Sequence, residues 1–279
     1  MQNALYATKL KKEVIKILVI GELLNASIKS VQEAIINHDT DYIRNTAIKQ
    51  AETGVDYIDV NVATGQGQDQ EIKDMEWIVK EVQSVVDKPL AIDTTDYDVM
   101  EAGLKVHQGK PLLNSVSAES GRQEPFLELA AKYEGQIVVL PVKENIPETA
   151  DERVKLCSEI KDRATEYNIN TESIYFDALV LPLSTNHKNP SVTLETIRQI
   201  AEKGWQSTVG LSNISFGLPN RSILNRAFLI SAMTLGLNSV FLNPLDKRTM
   251  GALYASDAIL GQDQMCMNYL KAYRQGIID

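Results

Sequence analysis

The sequence has few of the residues that form disulfides or bind transition metals. Among its 279 residues are two cysteines, Cys157 and Cys266, which lie far apart and match no metal-binding or redox spacing. The three histidines, His38, His107 and His187, fall in segments expected to be helix ends or loops. Because zinc and copper prefer imidazole and thiolate ligands, we expect no metal centre. We also expect both thiols to be reduced, as is usual in the cytoplasm.

Positive charge and long hydrophobic runs are scarce as well. The chain has 28 Lys and Arg residues against 37 Asp and Glu residues, a net charge of -9, which argues against nucleic acid as a partner. No apolar run approaches the ~18 to 20 residues of a membrane span, since the run at 179–183 is broken by Pro182. The first residues lack the long apolar stretch of a secretory signal. These absences predict a cytoplasmic protein that does not bind membranes.

The chain does contain enough apolar material for a large core, with 44% hydrophobic and 23% charged residues. Short apolar or β-branched runs alternate with longer amphipathic stretches, which is typical of repeated βα units. Eight such units predict closure into a (β/α)8 TIM barrel, and a barrel of this length predicts one domain over residues 1–279. The predicted strands are 17–21, 57–62, 90–93, 112–116, 137–140, 174–177, 208–211 and 239–242.

Amphipathic segments between the predicted strands indicate helices. Gly54, Gly204 and Gly236 stand where three of these helices should end in a left-handed residue. We expect two further helices, at 28–37 in the first crossover and at 265–275 as a final helix across a barrel end or a dimer surface. The main helices are predicted at 41–53, 72–86, 97–106, 125–133, 149–167, 192–203, 222–235 and 249–260.

Polar residues collect where the predicted strands end. Seven of the eight runs close on Asp, Asn or Glu, and barrel enzymes build their active sites at this end. Such a set could hold Mg²⁺, although a second acidic group would then be expected close to the first. It better suits a neutral heterocycle such as a pterin, whose N3–H and 2-amino donors match a carboxylate and whose other edge matches asparagine. These residues are Glu22, Asn25, Asp59, Asn61, Asp93, Asn114, Asp177, Asn213 and Asn243.

Around these residues the chain resembles the pterin-binding methyltransferases, in particular methyltetrahydrofolate:corrinoid protein methyltransferases. The resemblance runs nearly end to end and implies a barrel like that of dihydropteroate synthase. It implies tetrahydrofolate or 5-methyltetrahydrofolate as substrate, a corrinoid supplied by a separate partner protein, and a homodimer. The direction of methyl transfer stays open. Seven segments carry the resemblance: 20–25, 59–62, 93–95, 114–115, 175–182, 210–215 and 220–221.

The resemblance also assigns roles to particular residues. It implies that Asn213 reaches N5, the nitrogen that carries the methyl group, and is the catalytic residue. Where relatives have a polar glutamine three residues later, this chain has Phe216, which puts a polar contact there in doubt. The residues implied to hold or surround the pterin are Asp93, Asn114, Asp177, Gly210, Ser212 and Arg221.

Each residue also has a structural alternative. Asp93 could cap the following helix, Asn114 and Asn213 could satisfy loop backbone, and Arg221 could form a surface ion pair. Lys143 is more typical of a solvated loop than of a Schiff-base site. For two pairs of residues we expect mainly structural roles: Glu22 and Asn25 would close the barrel mouth, and Asp59 and Asn61 would brace loops.

Two other functions compete with methyl transfer. A dihydropteroate synthase-like enzyme would share the pterin site. A member of the synthase family is expected to have a Ser-Arg-Lys type loop after the seventh strand, whereas this chain has Ser212-Asn-Ile-Ser215 there, which disfavours this alternative. A folate-binding protein would hold the pterin without turning it over.

Overall fold

The computed structural model describes residues 17–119, 121 and 123–279, so the expectation about a secretory signal lies outside the described residues. In the described part, parallel strands form one eight-stranded sheet. The strands are β1 (Leu18–Asn25), β2 (Tyr57–Asn61), β3 (Leu90–Asp93), β4 (Leu112–Ser117), β5 (Gln136–Leu140), β6 (Ile174–Asp177), β7 (Gln206–Thr208) and β8 (Ser239–Leu242).

The sheet closes on itself. Consecutive strands pair from β1 to β7, and β1 also pairs with β8. The remaining gap between β7 and β8 is bridged at Gly210 and Phe241, where the Phe241 N–H donates to the Val209 carbonyl at 2.9 Å. The predicted (β/α)8 barrel is therefore confirmed.

Helices connect the strands, and both additional predicted helices are present, at Lys29–Ile36 and Met267–Arg274. Gly54, Gly204 and Gly236 have φ values of 82°, 73° and 100°, as predicted for residues that end helices. None of the helices in the described ranges is both long and apolar enough to span a bilayer. The helices are α1 (Lys29–Ile36), α2 (Thr40–Glu52), α3 (Gln68–Gln83), α4 (Tyr97–Val106), α5 (Gln123–Lys132), α6 (Ala150–Glu166), α7 (Asn189–Glu202), α8 (Arg221–Thr234), α9 (Lys247–Ile259) and α10 (Met267–Arg274).

The alternation of side chains along the strands divides the core into two layers. One residue from each of seven strands contributes to an apolar cluster inside the barrel, while the next residue along each strand faces the helices. On each strand, the residue two positions after the inner-cluster residue also points into the barrel. These residues form a second layer of side chains near the carboxyl ends of the strands. The inner cluster consists of Ile20, Tyr57, Ala91, Leu112, Val138, Tyr175 and Phe241.

The seventh strand differs from its prediction. The sequence predicts a strand at 208–211, but β7 ends at Thr208, and Leu211–Ser215 forms a short 3-10 helix. The predicted bounds of the other strands and helices are correct to within a few residues, apart from β1, which runs on to Asn25. At the end of the chain, Met265 and Cys266 have positive φ values of 56° and 55°, which separates them from α10.

Candidate active site

A cavity of about 830 Å³ opens at the carboxyl ends of the barrel strands. Two smaller cavities, of about 660 and 610 Å³, are lined by loops that precede β3 to β6. Because barrel enzymes place their catalytic groups at the carboxyl ends, the larger cavity is the candidate active site. It is lined by all the residues predicted for the site: Asp93, Asn114, Asp177, Gly210, Ser212, Asn213 and Arg221.

The cavity floor contains two neighbouring carboxyl groups, those of Asp59 and Asp93. The Asp93 Oδ2 accepts hydrogen bonds from the side-chain amides of Asn61 at 3.1 Å and Asn25 at 3.4 Å. Asn114 donates its Nδ2 to the Asp59 Oδ1 at 3.3 Å. Asparagine amides therefore fix the orientation of both carboxyl groups.

Burial changes the ionisation of this pair. It raises the pKa of Asp93 to about 6, against the opposing effect of the Asn61 and Asn25 amides. Burial raises the pKa of Asp59 well above its ordinary value, and the neighbouring charge of Asp93 raises it further. Asp59 is also only 2% exposed. The two carboxyl groups therefore titrate as an interacting pair, and both keep a proton to higher pH than an exposed aspartate does.

Asp177 presents a second carboxyl group to the cavity from the end of β6. Its Oδ1 accepts the backbone N–H of Leu179 at 2.8 Å, and burial raises the pKa of Asp177 to about 6. The charge of Arg153 opposes this shift. Arg153 is itself 1% exposed, and its Nη1 donates to the carbonyls of Ala178 at 2.8 Å and Leu179 at 2.9 Å. The guanidinium therefore holds the backbone that carries Asp177.

The turn after β7 brings Asn213 to the cavity. Arg221 holds this turn because its Nη2 donates to the Ser212 carbonyl at 2.6 Å and its Nε donates to the Ser215 hydroxyl at 3.0 Å. At Gly210 a Cβ atom would lie 3.1 Å from the Asn213 Nδ2, so a larger residue would crowd the amide. Phe216 follows on the cavity wall with 64% of its surface exposed.

The comparisons with known proteins identify the family of this chain. The model of the family described as "Pterin binding enzyme" matches residues 21–243. A methylcorrinoid:tetrahydrofolate methyltransferase of Eubacterium limosum is 37% identical over 94% of this chain and 97% of its own length. This chain belongs to the pterin-binding methyltransferases.

More distant relatives share the domain or the fold. The methionine synthase of Mycobacterium leprae is 30% identical over 81% of this methyltransferase, which spans about 20% of that longer protein. The dihydropteroate synthase of Yersinia pestis superposes with a TM-score of 0.69 at 17% identity and covers 89% of this chain and 94% of its own. The corresponding enzyme of Xanthomonas albilineans has a TM-score of 0.67 at 20% identity, with 88% and 94% covered. At these identities the synthases show the fold alone.

The geometry of the methyltransferase decides three of the structural alternatives. Asp96, not Asp93, caps α4, since its Oδ1 accepts the N–H groups of Asp98 and Val99. Lys143 pairs with Glu159 at 2.7 Å, as expected of an exposed lysine. Arg221 binds the Ser212 turn and forms no ion pair with a carboxylate among the contacts of the described residues.

Three of the four residues that were expected to have structural roles line the cavity. Asp59 lies in the floor beside Asp93, and Glu22 and Asn25 line the same cavity. Asn61 and Asn25 do act as braces, because they hold Asp93. The signal for Asp59 was present in the sequence: it follows Tyr57 by two residues, as Asp93 follows the inward-facing Ala91.

The described residues contain no group of three or more His, Cys, Asp or Glu side chains that could hold a metal ion. In the part of the cavity that can be described, carboxyl and amide groups are the main polar features. The arrangement therefore suits an uncharged ligand rich in hydrogen-bond donors.

Proposed function

We propose that this enzyme moves a methyl group between N5 of tetrahydrofolate and the cobalt of a corrinoid carried on a separate protein. The similarity to the Eubacterium limosum methylcorrinoid:tetrahydrofolate methyltransferase supports the proposal, because it extends over nearly the full length of both chains. The cavity also supports the proposal, since the carboxylates and amides that a pterin needs line the same cavity.

Asp93, Asn114 and Asp177 form the pterin clamp in this proposal. A planar pair of donors, N3–H and the 2-amino group, matches one ionised carboxylate in a bidentate contact. Asn114 supplies both a donor and an acceptor for the remaining edge. Gly210, Ser212 and Arg221 shape the wall beside the ring.

Asn213 is the catalytic residue in this proposal. N5 is a poor leaving group as a bare amine, so transfer of its methyl requires that electron density on N5 be stabilised in the transition state. The Asn213 amide donates to N5 and favours that state, and the clamp orients the ring toward the incoming cobalt. Because the same transition state serves both directions, the residue acts in both.

The test is methyl transfer by the purified protein, followed by the absorption of cobalamin. Cob(I)alamin is offered with 5-methyltetrahydrofolate, and methylcobalamin is offered with tetrahydrofolate. Asn213→Ala should lower kcat by about 10²- to 10³-fold. The dissociation constant of the folate should change little, because the clamp is intact. Asn268→Ala, an exposed asparagine on α10, is the matched control.

Three outcomes would contradict the proposal. Full turnover in Asn213→Ala would remove that residue from catalysis. Folate binding without transfer to or from any corrinoid would favour a folate-binding protein. Synthesis of dihydropteroate from a pterin pyrophosphate and aminobenzoate would favour the synthase alternative.

We further propose that residues 1–279 form one pterin-binding domain that acts as a cytoplasmic homodimer. Both Cys157 and Cys266 are free, which agrees with a reducing compartment. Apolar side chains near the end of the chain favour a subunit contact: Ile259 is 84% exposed and Met265 is 81% exposed. Light scattering of the purified protein would distinguish a dimer from a monomer.

A further inference from the structure

Glu22 lies between the pterin clamp and the turn that carries Asn213. It comes two residues after Ile20, which faces the barrel interior, and it lines the active-site cavity. The side chain of Ser212, the residue directly before Asn213, is close enough to interact with the Glu22 carboxyl group and lower its pKa. On its other side Glu22 is close enough to Asp59 to raise the pKa of that residue. Glu22 therefore lies close both to the Asp59–Asp93 pair and to the turn that carries Asn213.

The surroundings of Glu22 favour retention of a proton. Burial raises the pKa of Glu22, and the Ser212 side chain and the charge of Arg221 oppose this shift only in part. The other ionisable groups that share this cavity are acidic: Asp59 and Asp93 in the floor, Asp177 at the end of β6 and Asp246 before α9. No other charged residue lies on β1 itself. A cavity carboxyl group with a raised pKa is a candidate for proton exchange with a bound substrate.

Methyl transfer to tetrahydrofolate needs such a group. The N5 lone pair forms the new nitrogen–carbon bond, and the cobalt–carbon bond breaks with both electrons staying on cobalt. N5 then carries a hydrogen and a positive charge, so the N5–H bond must break and release one proton. In the reverse direction one proton must be supplied to N5. The Asn213 amide can donate a hydrogen bond but cannot hold this proton.

We propose that Glu22 accepts the N5 proton when tetrahydrofolate is methylated and returns it in the reverse direction. The proposal rests on the proposed function, and it adds a catalytic residue to the pterin clamp and Asn213. Glu22 is suited to this role because it lines the same cavity as Asn213 and interacts with Ser212, the residue before Asn213. Arg221 supports this arrangement because it binds the Ser212 carbonyl.

The pH dependence of single-turnover transfer tests the role of Glu22. In the wild-type enzyme, folate methylation should accelerate as pH rises through the Glu22 titration, and the reverse reaction should slow. Glu22→Gln should lower the transfer rate by about 10²- to 10⁴-fold and remove this pH dependence. Tetrahydrofolate should still bind within about twofold of the wild-type dissociation constant, because glutamine keeps the size of the side chain and its acceptor oxygen.

Two further variants separate catalysis from structure. Glu22→Asp should retain the pH dependence at a reduced rate, because a carboxyl group is still present. Asp162→Asn removes a carboxyl group that is exposed on α6 and does not line the cavity, so it should leave the pH profile unchanged.

Infrared difference spectroscopy provides a readout besides the rate. A band from a protonated carboxyl group should appear when methylcobalamin reacts with tetrahydrofolate in the wild type, and it should be missing in Glu22→Gln. If Glu22→Gln keeps the pH profile of the wild type, or keeps the infrared band, Glu22 is not the proton acceptor. The proposed function would still stand in that case, provided that the wild-type enzyme transfers methyl groups. A wild-type protein without any methyl transfer would overturn both.

Discussion

Replacement of Asp177 by asparagine should stabilise the ligand-free protein near neutral pH while it weakens pterin binding. Burial raises the pKa of Asp177 from an ordinary value of 3.8 to about 6. A carboxyl group with a raised pKa binds its proton more tightly in the folded chain, so a rise in pH through this range favours unfolding. Asparagine removes this cost and can still accept the Leu179 N–H through its Oδ1.

The size of the effect follows from the two pKa values. The difference between 3.8 and about 6 corresponds to roughly 3 kcal/mol of unfolding free energy when the carboxyl group is fully ionised. Because Asp177 is partly accessible from the cavity, solvent screening reduces the expected gain to about 1.5 kcal/mol. At about pH 5 the group is mostly protonated in the folded chain, and the gain should be about half as large.

Urea denaturation of wild type and Asp177→Asn at about pH 5 and about pH 7.5 measures the effect on stability. Asp162→Asn, an aspartate of α6 whose side chain is 70% exposed, is the control and should change neither value. Loss of the charge-assisted contact to the pterin should cost about 1.5 to 3 kcal/mol, or roughly ten- to a hundredfold in the Kd of tetrahydrofolate. An Asp177→Asn protein that is less stable than wild type at both pH values would refute the reasoning.

Two more predictions follow from buried groups behind the site. Arg153→Met should destabilise the protein by about 3 kcal/mol in urea denaturation, because the Ala178 and Leu179 carbonyls lose the Arg153 guanidinium and only the Leu179 carbonyl keeps a side-chain donor, the Thr193 hydroxyl; wild-type stability would contradict this. A thiol reagent should modify Cys266 and leave Cys157 unmodified in the folded protein, because Cys266 is exposed while burial raises the pKa of the Cys157 thiol. Equal labelling of both thiols before unfolding would contradict the burial of Cys157.

Most of the barrel and part of its site could be predicted from local patterns. Apolar runs between amphipathic stretches predict the strands and helices because the periods of 2 and 3.6 depend only on which faces are buried. The same period of two connects Ala91 with Asp93 and Tyr175 with Asp177, so the strand ends indicated which polar side chains share one space. Asp59 follows the inward-facing Tyr57 by two residues, so its side chain also points into the barrel, next to Asp93.

The turn after β7 shows the limit of local patterns. The run 208–211 has the composition of a strand, but the chain leaves the sheet after Thr208. The Leu211–Ser215 turn is held by Arg221, which binds the Ser212 carbonyl from nine residues further on. A sequence pattern does not contain this contact, because it depends on how α8 packs against the barrel.

The sequence by itself determined the succession of strands and helices and the polar residues at the strand ends, since both depend on neighbours along the chain. The tertiary structure decided the ionisation of those residues. The pKa of Asp93 depends on burial and on amides from β1 and β2, and that of Glu22 depends on burial and on Ser212 and Arg221. These pKa shifts are caused by groups that are distant in sequence and close in space, so they arise only when the barrel has folded.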